Sequence, residues 1–417
     1  MVSKNTKSAV DIYFSECEKY ISIPPIIILK INIQRRGITF SKKALEQVNS
    51  MVHQVKQRSI SRESVGIIPV SFTLRDGTSV ITRPRLISIN KLEPPLIIDY
   101  IDNRLMICDC EVPIEEIFFW EAPDYYRYYT STGKPMWKIA SARPQRIDIN
   151  PYQKCDFWEN YGRCKFCEIG STYLNSNKPK RLELADIYET LKTALKEKGR
   201  FSSLMMTGGA CLSGDKLFQD EVDYYVDIFK KIAPLFKTHK FPSQLIGVAY
   251  DKEQLEKIHN ETGLMSFTAD IEVLDEKLFD WICPGKSKTI GYGQWKERLF
   301  QARDIFGVGY VNTGIVGGVE LAHPNGYKNE ELAVNKTLQE AESLMKNGIN
   351  VVSCVWRVAE GSFFKNQTLP SLDYYVSLTK GLFDLRQKYK LCNEMDDYRR
   401  CGNHPDTDLG RIINDNI

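Results

Sequence analysis

The sequence contains no long apolar run. Its strongest early one, Ile23-Pro24-Pro25-Ile26-Ile27-Ile28-Leu29, is short and interrupted by two prolines, too little to cross a bilayer. The opening residues Met1 to Lys7 lead into no signal-type segment, so the chain reads as neither exported nor membrane-embedded, and a cytoplasmic location is expected. Charge of one sign is also scarce: 56 Lys and Arg stand against 53 Asp and Glu, a net charge of +3. A nucleic-acid footprint needs a larger basic excess or a clustered stripe. The short run Lys178-Pro179-Lys180-Arg181 reads as a solvated helix start, so nucleic acid is not an expected partner. Histidine is rare, and His53, His239, His259 and His323 are scattered, which suits surface or structural roles. No internal repeat or low-complexity tract is visible.

What is present is a globular composition, 42% hydrophobic and 26% charged over 417 residues, enough for one large domain with a smaller appended region. There are 11 cysteines, a high and odd count. In a chain read as unexported, metal-binding or catalytic cysteines are a better expectation than a disulfide framework.

Residues 1–135 read as an accessory α+β region. It has a helix from Lys42 to Gln57, strand-like runs at 66–74 and 96–100, and a hairpin turn at Arg75-Asp76-Gly77-Thr78. An aromatic stretch from Phe118 to Tyr129 closes this region and is expected to pack against the larger domain, with a substrate-contacting wall as the other reading. From about residue 140 strands and helices alternate. Strands are expected at 146–149, 203–207, 245–249, 264–271, 309–316 and 350–356, and helices at 182–198, 220–232, 252–259, 294–306, 329–346 and 372–389. Six strand–helix units with short connections argue for parallel strands and right-handed crossovers. The expected fold class is α/β: a partial (β/α)6 barrel over 136–390, the N-terminal α+β region, and a C-terminal extension over 391–417.

The sharpest feature follows the first expected barrel strand. Cys155, Cys164 and Cys167 lie within 13 residues, in a loop at the strand end where α/β barrels carry their chemistry. Thiolates are soft ligands that select zinc or iron–sulfur clusters. A structural zinc site closes with four protein ligands, whereas three cysteines on a cluster leave one iron open. A zinc-stabilised α/β binding protein, with Cys211 or one of Cys108 and Cys110 as the fourth ligand, is the competing reading. Cys108 and Cys110 would alternate faces on a strand, which argues against joint ligation.

A first-strand loop with three cysteines, the last two as Cys164-Lys165-Phe166-Cys167, resembles the cluster loop of the radical S-adenosylmethionine superfamily. The commonest spacing there is Cys-x3-Cys-x2-Cys, and the first gap here is longer, at eight residues. The resemblance implies that Cys155, Cys164 and Cys167 ligate a [4Fe-4S] cluster, that S-adenosylmethionine chelates the fourth iron, and that Phe166 packs near the adenine. It extends to Thr207-Gly208-Gly209-Ala210, similar to a Gly-Gly-Glu motif whose backbone meets the methionyl ammonium; a simple turn is the alternative. Glu272, after the fourth strand, would bond the ribose or the ammonium, or would be a salt-bridged strand-end acid. The run Gly314 to Glu320 resembles an adenine-side motif, with a backbone role at Val316 to Gly318, though it is one residue short before Glu320. Arg357 could hold the methionyl carboxylate or an acidic substrate, or form a structural salt bridge. The runs Glu272 to Lys286 and Leu369 to Tyr375 are similar to biotin-synthase-like members.

The superfamily's mechanism is one-electron cleavage of the sulfonium to methionine and a 5′-deoxyadenosyl radical, which takes a hydrogen atom from a small or medium-sized substrate. It also implies an external electron donor such as flavodoxin or ferredoxin, and an anaerobic enzyme. Separately, Cys392, Cys401 and His404 are chemically adequate ligands for a second centre, an auxiliary iron–sulfur cluster or zinc.

Overall fold

In the computed structural model, which describes residues 9–59, 65–69, 71–83, 93–174, 179–237, 241–392 and 402–414, the first third of the chain builds a sheet of its own. Two helices come first, α1 (Ala9–Lys19) and α2 (Pro25–Arg36). Pro25 stands in the first turn of α2, where a missing N–H costs nothing, so the proline pair starts a helix. Sequence patterning hides this helix because Lys30, Asn32, Gln34, Arg35 and Arg36 erase any apolar stripe; all five are buried.

After β1 (Ile38–Phe40), the expected helix at Lys42 ends early, as α3 (Lys42–Glu46), N-capped by Ser41 Oγ at 3.1 Å from the Ala44 amide. Asn49 diverts the chain into a turn, its side chain accepting from the Met51 amide at 2.9 Å and its carbonyl from the His53 amide at 2.7 Å. Strand β2 (Lys56–Ser59) then pairs with β3 (Val65–Ile68), and the run read as one strand resumes after Pro69 as β4 (Ser71–Leu74). The turn to β5 (Ser79–Ile81) is the expected hairpin, with Gly77 at φ +86° and its N–H donating to Leu74 O at 2.9 Å. Strands β6 (Leu96–Ile101), β7 (Arg104–Asp109) and β8 (Val112–Phe119) complete a sheet ordered β1-β6-β7-β8-β4-β5.

The second sheet is the half-barrel. Helix α4 (Met136–Ile139) leads into β9 (Ala140–Ala142), an antiparallel edge strand that alternation did not reveal. Six parallel strands follow: β10 (Arg146–Ile149), β11 (Ser203–Thr207), β12 (Phe241–Gly247), β13 (Leu264–Ala269), β14 (Val311–Gly317) and β15 (Asn350–Val355). The crossovers carry α5 (Ile169–Leu174) and α6 (Leu184–Ala194), α7 (Gln219–Ile232), α8 (Lys252–Glu261), the trio α9 (Glu276–Ile282), α10 (Pro284–Thr289) and α11 (Tyr292–Phe306), and α12 (Glu330–Met345). Helix α13 (Leu372–Lys388) follows β15. Side-chain caps fix several of these starts: Asp251, Asp275, Asn329 and Ser371 each accept from a backbone amide three residues on.

The open edge of the half-barrel is covered by both ends of the chain. Helix α2 packs against β15, α13 and the last helix α14 (Pro405–Asn414). The Gly402 carbonyl accepts from Ile81 N at 3.1 Å and Gln34 Nε2 at 2.7 Å. Buried ion pairs Lys30–Asp408 and Arg386–Asp406 fasten the layers, and Asp406 Oδ1 also accepts from Ser353 N at 3.3 Å. Among the described residues no helix is long and apolar enough to cross a membrane.

Candidate active site

The cysteine loop leaves the top of β10 and is laced to the top of β11. Asp156 N donates to Ala210 O at 2.8 Å, Gly209 N to Tyr152 O at 3.1 Å, and Leu212 N to Asp156 Oδ2 at 3.1 Å. A Cβ on Gly208 would lie 2.7 Å from Tyr152 O, and one on Gly209 would lie 2.2 Å from Lys154 O. The Gly208-Gly209 pair is therefore required by the crossing of the cysteine loop itself. Beneath it, Glu221 accepts from the Cys211 amide and the Tyr250 hydroxyl, and burial pushes its carboxyl up to about 7.

The three cysteines are half-buried, and their thiols lie within electrostatic reach of one another. Burial pushes Cys155 up to about 11 and Cys167 up to about 12. Cys164 is held well above the usual thiol range, first by a hydrogen bond with Cys283 and then by burial. Such thiols stay protonated until a metal claims them, and loading then releases their protons. The Cys167 sulfur also receives the Ile169 amide at 3.4 Å.

Among the described residues, no three His, Cys, Asp or Glu side chains gather as a single metal ion requires. A cluster is less demanding, since each thiolate meets a different iron, and an all-thiol donor set fits it. The fourth ligands considered for zinc lie elsewhere: Cys211 Sγ meets Ser213 Oγ at 3.0 Å, and Cys108 lies in β7 of the N-terminal sheet with Cys110 in the turn after it. The thiol that does join the trio is Cys283, fully buried at the start of α10, 119 residues beyond Cys164. Nothing in its local sequence signals that meeting.

Opposite the loop stands Glu272. It has φ +73°, a left-handed conformation that costs a non-glycine residue about 1–3 kcal/mol and gathers at functional sites. Backbone bonds to β14 hold it there, Glu272 N to Gly314 O at 3.0 Å and Val316 N to Glu272 O at 2.9 Å. Burial pushes its carboxyl up to about 6. Lys286 Nζ donates to Glu272 Oε1 at 2.6 Å and to Asp270 O at 2.7 Å. Burial alone would lower the Lys286 pKa, but the Glu272 carboxylate, joined by Cys164 and Cys283, more than offsets it, so the lysine is an ammonium at neutral pH. Glu272 is thus salt-bridged, with a partner that sequence reading did not find.

Val316 lies near the end of β14 and Gly318 just past it, with Gly318 at φ +106° and no room for a Cβ, which would lie 2.7 Å from the Tyr375 hydroxyl. Glu320 turns inward and accepts from Gly318 N at 2.9 Å and from the Tyr374 hydroxyl, a structural role. Phe166 is half-buried against the core. Arg357, past the end of β15, donates to Ile81 O at 3.5 Å, and burial with neighbouring Arg83 lowers it to about 10.

Strand side chains pointing into the half-barrel surround a cavity of about 120 Å³. Its wall includes Arg146, Gln244, Thr268, Asn312 and Cys354, with Asp270 and Glu272 towards the cysteine loop and His404 and Thr407 on the open side. Among the described residues, Cys392 and His404 join no group of three His, Cys, Asp or Glu that could hold a metal ion. His404 Nδ1 lies 3.1 Å from Ser353 O, Cys392 lies 3.7 Å from Gln387 Nε2, and Cys401 is outside the described residues. Of the aromatic stretch, Tyr125 and Tyr126 pack on the barrel edge, Tyr125 OH donating to Ala140 O at 3.0 Å and Tyr126 OH accepting from Ala142 N at 3.0 Å, whereas Phe118, Tyr128 and Tyr129 are exposed.

No family model matches the chain. A curated protein from Chlorobaculum limnaeum, bacteriochlorophyllide c C-7(1)-hydroxylase, is 29% identical over 141 residues, 34% of this chain; the match spans only 32% of that protein's length. Among solved structures, methylornithine synthase is similar at 17% identity and TM-score 0.42, covering 60% of this chain and 65% of the other. A radical SAM methyltransferase from Sphaerobacter thermophilus follows at 10% identity and TM-score 0.38, covering 64% and 72%. A cobalamin-dependent S-adenosylmethionine radical enzyme gives 12% identity and TM-score 0.34, covering 62% and 38%. Each of these relatives is an enzyme.

Proposed function

We propose that the chain is a radical S-adenosylmethionine enzyme acting on a small molecule. One observation carries this reading: three half-buried cysteines sit together in the loop after the first parallel strand, Cys155 and Cys164 lie within electrostatic reach of the Glu272–Lys286 pair, and Glu272 lines the half-barrel cavity. A [4Fe-4S] cluster and S-adenosylmethionine, when bound, supply one-electron cleavage of the sulfonium and removal of a hydrogen atom from carbon.

The chain's own residues do the rest. Cys155, Cys164 and Cys167 hold three irons as thiolates and leave the fourth open. The Gly208-Gly209 backbone and Glu272 meet the amino-acid and ribose parts of the cofactor, Val316 to Gly318 and Phe166 the adenine, and Arg357 an acidic group. The half-barrel, closed on its open side by residues 403–407, excludes water and other quenchers, which a radical reaction demands. An external donor such as flavodoxin or ferredoxin brings the electron. The biotin-synthase-like resemblance of 272–286 and 369–375 favours that branch, and a relative that is by name a hydroxylase supports chemistry at a C–H bond.

The test is anaerobic reconstitution with iron and sulfide. The expected product is brown, holds about four irons and four sulfides per chain, and releases methionine and 5′-deoxyadenosine from S-adenosylmethionine under reductant. Cys164→Ala loses both. A colourless protein carrying stoichiometric zinc sinks the proposal.

A further inference from the structure

The cysteine loop has a second wall, α10, which the three-cysteine motif does not anticipate. Two backbone hydrogen bonds pin it and the end of α9 there, Lys165 N to Ile282 O at 2.8 Å and Gly285 N to Gly162 O at 2.9 Å. Contact is so close that a Cβ on Gly285 would lie 2.4 Å from Gly162 O and 2.8 Å from Phe157 Cδ1. The next residue is Lys286, 8% exposed. Its ammonium is held by Asp270 O and Glu272 Oε1 and lies 4.7 Å from the centre of the Trp295 ring. A lysine tied at three points cannot swing to solvent. It lies within electrostatic reach of Cys155, Cys164 and Cys283.

We propose that Lys286 is the fixed counter-charge of the iron–sulfur cluster, favouring its reduced form, and that Glu272 sets how much of this charge the cluster feels. The inference rests on the function proposed above. Three thiolates bring three negative charges to a four-iron core, and reduction adds one more, in surroundings that screen charge weakly. Cluster potential follows local charge and burial. A buried ammonium on the loop side therefore stabilises the reduced cluster more than the oxidised one, and the Glu272 carboxylate partly cancels it. Glu272 also lies where S-adenosylmethionine would bind, so a ligand engaging that carboxylate would unmask the ammonium.

The test is a redox titration of the reconstituted holoprotein followed by EPR, without S-adenosylmethionine. Glu272→Gln leaves the lysine unopposed and is expected to raise the reduced-to-oxidised ratio at a fixed poise roughly tenfold, about 59 mV for one electron. The double variant Glu272→Gln with Lys286→Met is expected to reverse that gain, whereas the double variant Glu272→Gln with Lys286→Arg retains it. Unchanged potentials in variants holding a full cluster overturn the proposal. So does loss of the cluster from both lysine variants while wild type keeps it, since the residue would then be structural. A wild-type protein that assembles no four-iron cluster refutes the underlying function instead, a result distinct from either.

Discussion

Glu221 touches none of the three loop thiols, yet it governs where they stand. It holds the Cys211 amide from below, and the loop is laced to Ala210 and Leu212 on either side of that amide. Its carboxyl rises from 4.5 to about 7 in the fold, because burial disfavours the charged form more than the Tyr250 hydroxyl favours it. A raised carboxyl stabilises the folded state fully below pH 4.5, and this contribution is lost as pH rises through about 7. At roughly 1.4 kcal/mol per pH unit, the cluster-free protein should be about 3 kcal/mol less stable at pH 8 than at pH 4.5 on this account. Urea unfolding of wild type and Glu221→Gln across that range checks it: the Gln variant should show a flatter profile. An equally steep profile would assign the pH dependence to other groups.

At the scale of elements, two glycines give opposite expectations. Gly209→Ala drives a methyl into Lys154 O, 2.2 Å away, so the loop must shift. Overpacking of this kind costs about 1–3 kcal/mol, and reconstituted iron content should fall with it. Gly293→Ala, in α11 with nothing within 4 Å of the new Cβ, should be neutral or stabilise by about 0.5 kcal/mol. Thermal melts of both, with iron analysis of the first, decide.

The six strand–helix units were legible in the chain because each strand is a short apolar run between amphipathic helices, and the limits of the expected elements differ from those observed by a few residues. The cysteine loop was legible because its three cysteines are local, within 13 residues. Helix α2 was not, since its buried Lys30, Arg35 and Arg36 are neutralised by Asp408, Glu93 and Asp109, far away in sequence. The partner Cys283 was hidden because its meaning comes from a contact with Cys164 across 119 residues, and Lys286 because it folds back 14 residues to Glu272 through a helix start; no periodicity records either. Glu272 was found by its place after a strand, but its left-handed backbone is visible only in the fold.

Over the whole molecule, buried ion pairs join layers that share little sequence proximity. Arg386 donates to Asp406 Oδ2 at 2.7 Å and to its carbonyl at 3.1 Å, with both side chains buried. Removing one member strands the other, so Asp406→Ala should cost about 3–5 kcal/mol, whereas Arg386→Leu combined with Asp406→Leu should recover much of the loss. Denaturant midpoints of the three variants test this. If the double variant is as unstable as the single, the Asp406 bond to Ser353 N, not the ion pair, is the larger contributor.

The cavity wall runs from Arg146 to Thr407. During synthesis that chamber cannot shut until His404 and Thr407 have been delivered. A chain stalled at residue 400 would carry Cys155, Cys164 and Cys167 beside an open trough. On the function proposed above, reactive chemistry begun at that stage would meet solvent, so the order of translation itself postpones it until this wall has emerged.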